Sequence, residues 1–143
     1  MSRDLERRLA PAFAQEDRAA QWEMDAFAAA GGLRSTATDL LVFSRELLQG
    51  RRGQFGAAAE RLVSPLAPYR EGASRMGYGM LLPAASSRVW AHNGVTGGYL
   101  SEWIVWPDSH EAVVILVSNS AAPSHRIAQA LVAQTWTGTA RQH

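Results

Sequence analysis

Residues 90–99 read WAHNGVTGGY and place a histidine and three glycines between two stretches of strand composition. A simple hairpin needs only one or two turn residues, whereas this segment predicts one strand at 88–92 and a second that begins only at Tyr99. Glycine after a strand lets another part of the molecule approach the backbone closely. The residues alone leave two interpretations open: a wide glycine-rich turn with a solvated histidine, or one wall of an active site.

The sequence around this segment predicts an α+β fold whose sheet is an antiparallel meander of three to four strands. Strand composition recurs with short connections, and such connections favour antiparallel neighbours. The predicted strands cover 78–82, 88–92, 99–106 and 112–118.

Helices are predicted before and after these strands. Before them, apolar spacing and capping residues predict a short N-terminal helix followed by loop, then helices at 36–49 and 56–63, with loop at 64–74. The Ser/Thr/Asp run at 35–39 is interpreted as a helix cap rather than as a set of catalytic hydroxyls. After them, a C-terminal helix at 124–136 carries Ile127, Ala130, Leu131 and Gln134 at helical spacing, and we expect this face to pack on the sheet.

We expect residues 1–143 to form a single partial domain. Residues 1–74 are predicted to be mainly helix and loop, and residues 75–143 to contain the antiparallel strands and the C-terminal helix. The longest aliphatic run, 113–117, is too short to span a bilayer, and the charged N-terminus lacks the apolar segment of a signal peptide. As it stands, the sequence therefore predicts a cytoplasmic protein, whereas a longer parent protein is compatible with the periplasm.

Composition excludes several functions. A net charge of +1 gives no field that would favour nucleic acid or an anionic membrane, so neither is an expected partner. The chain has no cysteine, and all 14 of its Lys+Arg residues are arginines. Without lysine it has no P-loop and no lysine general base. The four histidines do not pair at a metal-ligand spacing, so we expect neither a metal nor a cofactor.

The order of several motifs resembles the C-terminal half of the serine β-lactamase superfamily. The resemblance is carried by GGLRSTATDL at 31–40, by the His-x-Gly triplet at 92–94 and by VVILVSNS at 113–120, and it extends over nearly the whole chain. It is strongest to class C β-lactamases and to the related esterases and D-aminopeptidases. A partial β-lactamase/transpeptidase-like fold is the structure that this resemblance implies.

The resemblance also implies roles for residues of the opening segment. These enzymes use a Ser-x-x-Lys nucleophile, a Tyr-x-Asn motif and a third motif, Lys-Thr-Gly or His-x-Gly, on a strand beside the active site. Only the third motif maps here: His92 would donate hydrogen bonds in the cleft, and Asn93, Gly94 and Thr96 would adjoin the substrate. The backbone N–H of Val95 would be one of two oxyanion donors, the loss of which costs roughly 3 kcal/mol of barrier in comparable sites.

The two other motifs are absent from these 143 residues. We therefore expect a fragment of a serine hydrolase that acts on β-lactams, esters or D-amino-acid peptides, inactive unless an N-terminal half completes it and supplies the nucleophile. An exposed sheet edge would favour homo-oligomers. One alternative is a non-catalytic binding or interaction module on the same scaffold. Another is a different enzyme in which Glu102 or Asp108 orients His92 as a general base.

Overall fold

The computed structural model describes residues 3–69, 74–83 and 88–136, and it confirms the α+β class. Helices precede and follow a run of strands, as the sequence predicts. The α-helices are α1 (Arg3–Arg7), α2 (Ala28–Gly31), α3 (Ala37–Leu48), α4 (Ala57–Leu62) and α5 (Ser124–Trp136), with 3₁₀ helices at Asp25–Phe27 and Gly50–Arg52.

Eight strands form two antiparallel sheets in the described residues. A two-stranded sheet pairs β1 (Phe13–Ala14) with β2 (Asp17–Arg18). The larger sheet has its six strands in sequence order and is therefore a meander. Its strands are β3 (Ala67–Pro68), β4 (Arg75–Met76), β5 (Leu81–Leu82), β6 (Trp90–Thr96), β7 (Tyr99–Trp106) and β8 (Glu111–Val117).

The meander is wider than the three to four strands expected, because two-residue strands extend one side of it. The predicted loop at 64–74 contains β3, and the predicted strand at 78–82 is reduced to β5. Pairs as short as Ala67 with Met76 and Met76 with Leu81 leave no alternating pattern long enough to see in the sequence. The sheet β1–β2 lies in what was predicted to be loop, for the same reason.

Helix α3 begins where its local sequence indicates. The Thr36 hydroxyl oxygen accepts a hydrogen bond from the Asp39 backbone N–H at 3.1 Å, and the same hydroxyl donates to the Asp39 carboxylate at 2.9 Å. The predicted cap is therefore confirmed, and Asp39 also places negative charge at the positive end of the helix. After α3 the chain turns at Gly50, whose φ of +55° favours glycine.

The chain divides into two compact units, and the second contains residues 34–93 and 102–115. Its core joins α3 to β7. Leu47 and Val105 are buried, and the Phe43 ring lies between those of Phe55 and Trp103, at centroid distances of 5.0 Å and 5.3 Å. These contacts fix the helix against β7, the strand next to the β8 edge of the sheet.

The first unit contains residues up to 33, residues 94–101 and residues from 116 onward. It contains the β1–β2 hairpin, which is held by long-range hydrogen bonds. The Phe13 N–H donates to the Gly98 carbonyl at 3.3 Å, and the Ser120 N–H donates to the Phe13 carbonyl at 3.0 Å. The Asn119 side chain bonds Gln15 twice, accepting from its N–H and donating to its carbonyl.

Helix α5 spans the predicted residues but buries a different face. Ser124 and Ala128 are buried, whereas Ile127 and Leu131 are 43% and 37% exposed and Ala130 is also exposed. The predicted contact face is therefore wrong for these three residues, and the Gln134 side chain lies outside the described part. Small residues four apart, Ser124 and Ala128, give the helix a flat stripe that permits close approach.

Candidate functional site

The motif segment lies within a strand and not in a wide turn. Strand β6 continues through Thr96, and only Gly97 and Gly98 separate it from β7. Gly98 has a φ of +76°, the left-handed conformation that the second central residue of a type II turn requires. The prediction that the strand ends at residue 92 is therefore wrong: Gly94 lacks a side chain but still adopts extended, paired backbone.

The hairpin determines which backbone groups of β6 face an open edge. Across a two-residue turn, Thr96 and Tyr99 exchange both backbone hydrogen bonds, and backbone groups alternate sides along a strand. The N–H of Val95 therefore points away from β7, toward the side on which β5 lies. Leu81, the first residue of β5, pairs with Ala91 of β6. Because the two strands are antiparallel, the pairing with β5 does not extend from Ala91 toward Val95. Among the described residues no strand accepts the Val95 N–H.

Side chains of the five predicted site residues divide between the two faces of β6. His92, Gly94 and Thr96 share one face, and Asn93 and Val95 share the other, because side chains alternate along a strand. His92 and Asn93 are exposed, and the Val95 side chain is 59% exposed. The five residues are therefore consecutive or near neighbours on one strand, but their side chains do not all lie on the same face of the sheet.

No carboxylate in the described part of the chain pairs with His92. The hairpin register places Glu102 opposite Asn93, so this buried side chain lies on the face away from His92. Asp108 pairs instead with Arg88, at 2.9 Å between Oδ1 and Nη1. Neither carboxylate is positioned to orient the imidazole, which removes the support for a general base built on His92 with Glu102 or Asp108.

An aromatic side chain that sequence reasoning missed lies beside the β6–β7 turn. A Cβ placed on Gly97 would lie 2.5 Å from Trp22 Cδ1, so Trp22 lies directly against this glycine. Nearby, a Cβ on Gly31 would lie 3.0 Å from Met24 Cε and 3.8 Å from Thr96 Cγ2. The glycine pair 97–98 did indicate that another part of the molecule approaches the backbone closely. Only the structure shows that this part is the segment before α2, which contains Trp22.

Metal and membrane sites receive no support from the described residues. Across 3–69, 74–83 and 88–136, no three His, Asp or Glu side chains cluster as metal ligands would. Within the same ranges, no helix has the length and apolar character needed to cross a bilayer.

The meander and its flanking helices define part of a serine-hydrolase scaffold of the kind found in β-lactamases. The family model described as Beta-lactamase matches residues 3–135, so the chain belongs to the beta-lactamase family. No curated protein sequence matches it significantly.

A solved structure supports the same fold. The crystal structure of a penicillin binding protein from Bacillus halodurans is similar, with a TM-score of 0.59 and 18% sequence identity. The match covers 69% of this chain and 30% of that protein, so the chain spans about a third of its length. At this identity the comparison shows the fold alone. The predicted relation to the serine β-lactamase superfamily is confirmed by the family match and by this fold together.

Proposed function

We propose that this chain supplies the third-motif wall of a serine acyl-hydrolase site, and that the nucleophile must come from outside these 143 residues. The observation that carries the proposal is the open edge of β6. His92 and Asn93 are exposed there. The Val95 N–H points toward the β5 side of β6, but it lies four residues beyond Ala91, the residue that pairs with the first residue of β5. A backbone N–H that bonds to none of the described strands is suited to stabilise negative charge on a reacting oxygen.

Each motif residue receives a role in this proposal. The Val95 N–H is one of the two oxyanion donors, and His92 donates a hydrogen bond to the substrate carboxylate or to the nucleophile network. Asn93 and Thr96 contact the substrate from opposite faces of β6, around the strand edge. Gly94 faces the Ser101 hydroxyl, to which a Cβ at this position would lie only 3.2 Å away, so a larger residue would push β6 against β7.

The absence of lysine from the sequence supports the second half of the proposal. A Ser-x-x-Lys motif activates its serine through a neighbouring base, and an unactivated serine hydroxyl is a weak nucleophile. We therefore expect no acyl-enzyme on this chain by itself. The substrates proposed for the completed site are β-lactams, esters or D-amino-acid peptides.

Intact-mass spectrometry tests the missing nucleophile. The folded chain is incubated with a fluorophosphonate and, separately, with a penicillin, and no covalent adduct is expected. An adduct on any serine would overturn the proposal, because it would show an activated nucleophile within these residues.

Amide hydrogen exchange tests the oxyanion donor independently of activity. Val95 and Thr96 are neighbours on one strand, but only the Thr96 N–H is expected to bond β7. We expect the Val95 amide to exchange much faster than that of Thr96. Equal protection of the two amides would show that Val95 already has an acceptor and would exclude this role.

A second candidate function, an interaction module, is favoured by strand β8. This strand forms one end of the sheet order, and none of the described residues pairs with its outer side. Its sequence after Glu111 is AVVILV, without a charge, and Leu116 is 42% exposed. Long apolar edges of this kind pair with other strands, so we propose self-association through β8.

A further inference from the structure

A cavity of about 310 Å³ lies between helix α3 and the turn from β7 to β8, within the second unit. One stripe of α3 forms its first wall. Leu41, Ser44, Arg45 and Leu48 follow the i, i+3, i+4, i+7 spacing that places side chains on one helix face. The opposite wall includes His110 and Ala112. None of these residues belongs to the motif on β6.

The floor of this cavity is apolar in character. Leu41, Leu48 and Ala112 contribute aliphatic surface. The one buried polar side chain, Ser44, is already satisfied: its hydroxyl donates to the Leu40 carbonyl at 2.7 Å and accepts from Trp103 Nε1 at 2.7 Å. The Ser44 hydroxyl therefore has no free donor for a ligand, and the floor suits a hydrocarbon chain.

The rim of the cavity is cationic. The Arg45 guanidinium forms an ion pair with the Glu46 carboxylate, at 3.6 Å between Nη2 and Oε1. The Arg45 side chain is 70% exposed. Arg52 forms no ion pair with any described residue, unlike its neighbour Arg51, which binds Glu60 at 2.7 Å. Its guanidinium is thus available to an anion.

Two carboxylates, Asp108 and Glu111, flank His110 in the sequence. Asp108 binds Arg88 at 2.9 Å, and Glu111 accepts a hydrogen bond from the Ser109 hydroxyl at 2.8 Å. Arg88 neutralises Asp108, whereas a hydrogen bond from a hydroxyl leaves the negative charge of Glu111 in place. Arg52 is therefore the rim cation that has no ion-pair partner among the described residues, since Arg45 is paired with Glu46.

His110 adopts an uncommon backbone conformation at this rim. Its φ is +56°, in the left-handed region that glycine or asparagine occupies most easily. A histidine at this position is strained relative to glycine, and yet its side chain lines the cavity. Backbone strain that persists where a side chain faces a cavity is consistent with a binding role for that side chain.

We propose that this cavity binds a small amphipathic anion, specifically a linear aliphatic carboxylate. The carboxylate is held by Arg52, with Arg45 and His110 beside it, and the hydrocarbon chain lies over Leu41, Leu48 and Ala112. Guanidinium groups bind carboxylates through paired hydrogen bonds, and the apolar floor adds affinity with each buried methylene group. This site and ligand are independent of the hydrolase proposed above.

Nuclear magnetic resonance titration of the 143-residue chain with octanoate, below its micelle-forming concentration, tests the site. Octylamine carries the same chain with the opposite charge, and acetate carries the same charge without the chain. We expect saturable shifts at residues 41–52 and 107–112 with octanoate, and no saturation with either control ligand. Saturation with octylamine, or shifts centred elsewhere, would overturn the proposal.

Three variants separate binding from stability. Arg52→Gln is expected to weaken octanoate binding by about fivefold, the worth of one exposed charge pair, while Arg61→Gln, an exposed arginine on α4, leaves it unchanged. His110→Gly is expected to raise the melting temperature by relieving the strain and to weaken binding.

Arg52 also lies near the C-terminal end of α3, where a cation stabilises a helix. If stabilising this helix end is its only role, Arg52→Gln would lower the stability of the fold without changing the affinity for octanoate, and the proposal fails.

Discussion

Substitution of Gly98 by alanine tests whether the N-terminal hairpin really packs on the β6–β7 turn. A Cβ at Gly98 would lie 2.6 Å from Ala12 Cβ, 2.7 Å from the Phe13 nitrogen and 2.8 Å from Ala19 Cβ. None of these atoms is the far end of a flexible side chain, and Ala12 is buried. The hairpin must therefore move away, which weakens the Phe13–Gly98 hydrogen bond as well.

The expected cost has two parts. Left-handed backbone costs a non-glycine residue about 1–2 kcal/mol, and overpacking typically costs about 1–3 kcal/mol more. Gly79 provides a matched control, because its φ is also +76° but a Cβ there would meet nothing within 4 Å. The strain and the lost entropy of the unfolded chain are similar in Gly98→Ala and Gly79→Ala, so their difference isolates the packing cost.

Urea unfolding of both variants and of the parent chain, followed by circular dichroism, provides the measurement. We expect Gly98→Ala to lose about 1–3 kcal/mol more unfolding free energy than Gly79→Ala. The slope of the unfolding free energy against urea concentration should be the same for Gly79→Ala as for the parent chain. Equal losses in the two variants would refute the reasoning, because they would show that β1 and the residues beside it do not press on the turn.

Three further predictions concern the helix cap, the buried hydrogen bond and the sheet edge. Thr36→Ala removes the oxygen that accepts from the Asp39 N–H, and it should lower the unfolding free energy by about 1 kcal/mol. Trp103→Phe removes the indole donor 2.7 Å from the Ser44 hydroxyl, and it should cost about 1 kcal/mol in urea unfolding beyond the change in packing. Leu116→Lys places a charge on the exposed edge strand β8 and should reduce the sedimentation coefficient at high protein concentration.

Each of these predictions has its own control. Thr36→Ser keeps a hydroxyl at the cap and should restore most of the stability, so equal losses in both variants would exclude the cap as the cause. A second substitution, Ser44→Ala, should add little to Trp103→Phe if the two side chains act through one hydrogen bond, and full additivity would contradict that coupling. Leu66→Lys changes a leucine outside β8 that is somewhat more exposed, 52% against 42% for Leu116, and an equal loss of association in this variant would argue against the β8 edge.

Local sequence determined the elements whose causes lie within a few residues. The cap at Thr36 and the apolar spacing after it predict α3, and the bounds of β7 and α5 agree with the structure because turn residues flank both elements. The family could also be identified from sequence, since its motifs are short and ordered along the chain. The absence of lysine is likewise a property of the sequence alone, and it excludes a Ser-x-x-Lys nucleophile without any coordinates.

Tertiary structure decided everything that depends on which distant segments meet. Residues 93–96 could not be assigned to strand by composition, because glycine and asparagine disfavour strands locally and only pairing with β7 holds them extended. The open edge at Val95 exists because β5 begins at Leu81, and the cavity exists because one face of α3 lies opposite His110. Strand register and helix placement are set by contacts between residues far apart in sequence, and no local pattern encodes those contacts.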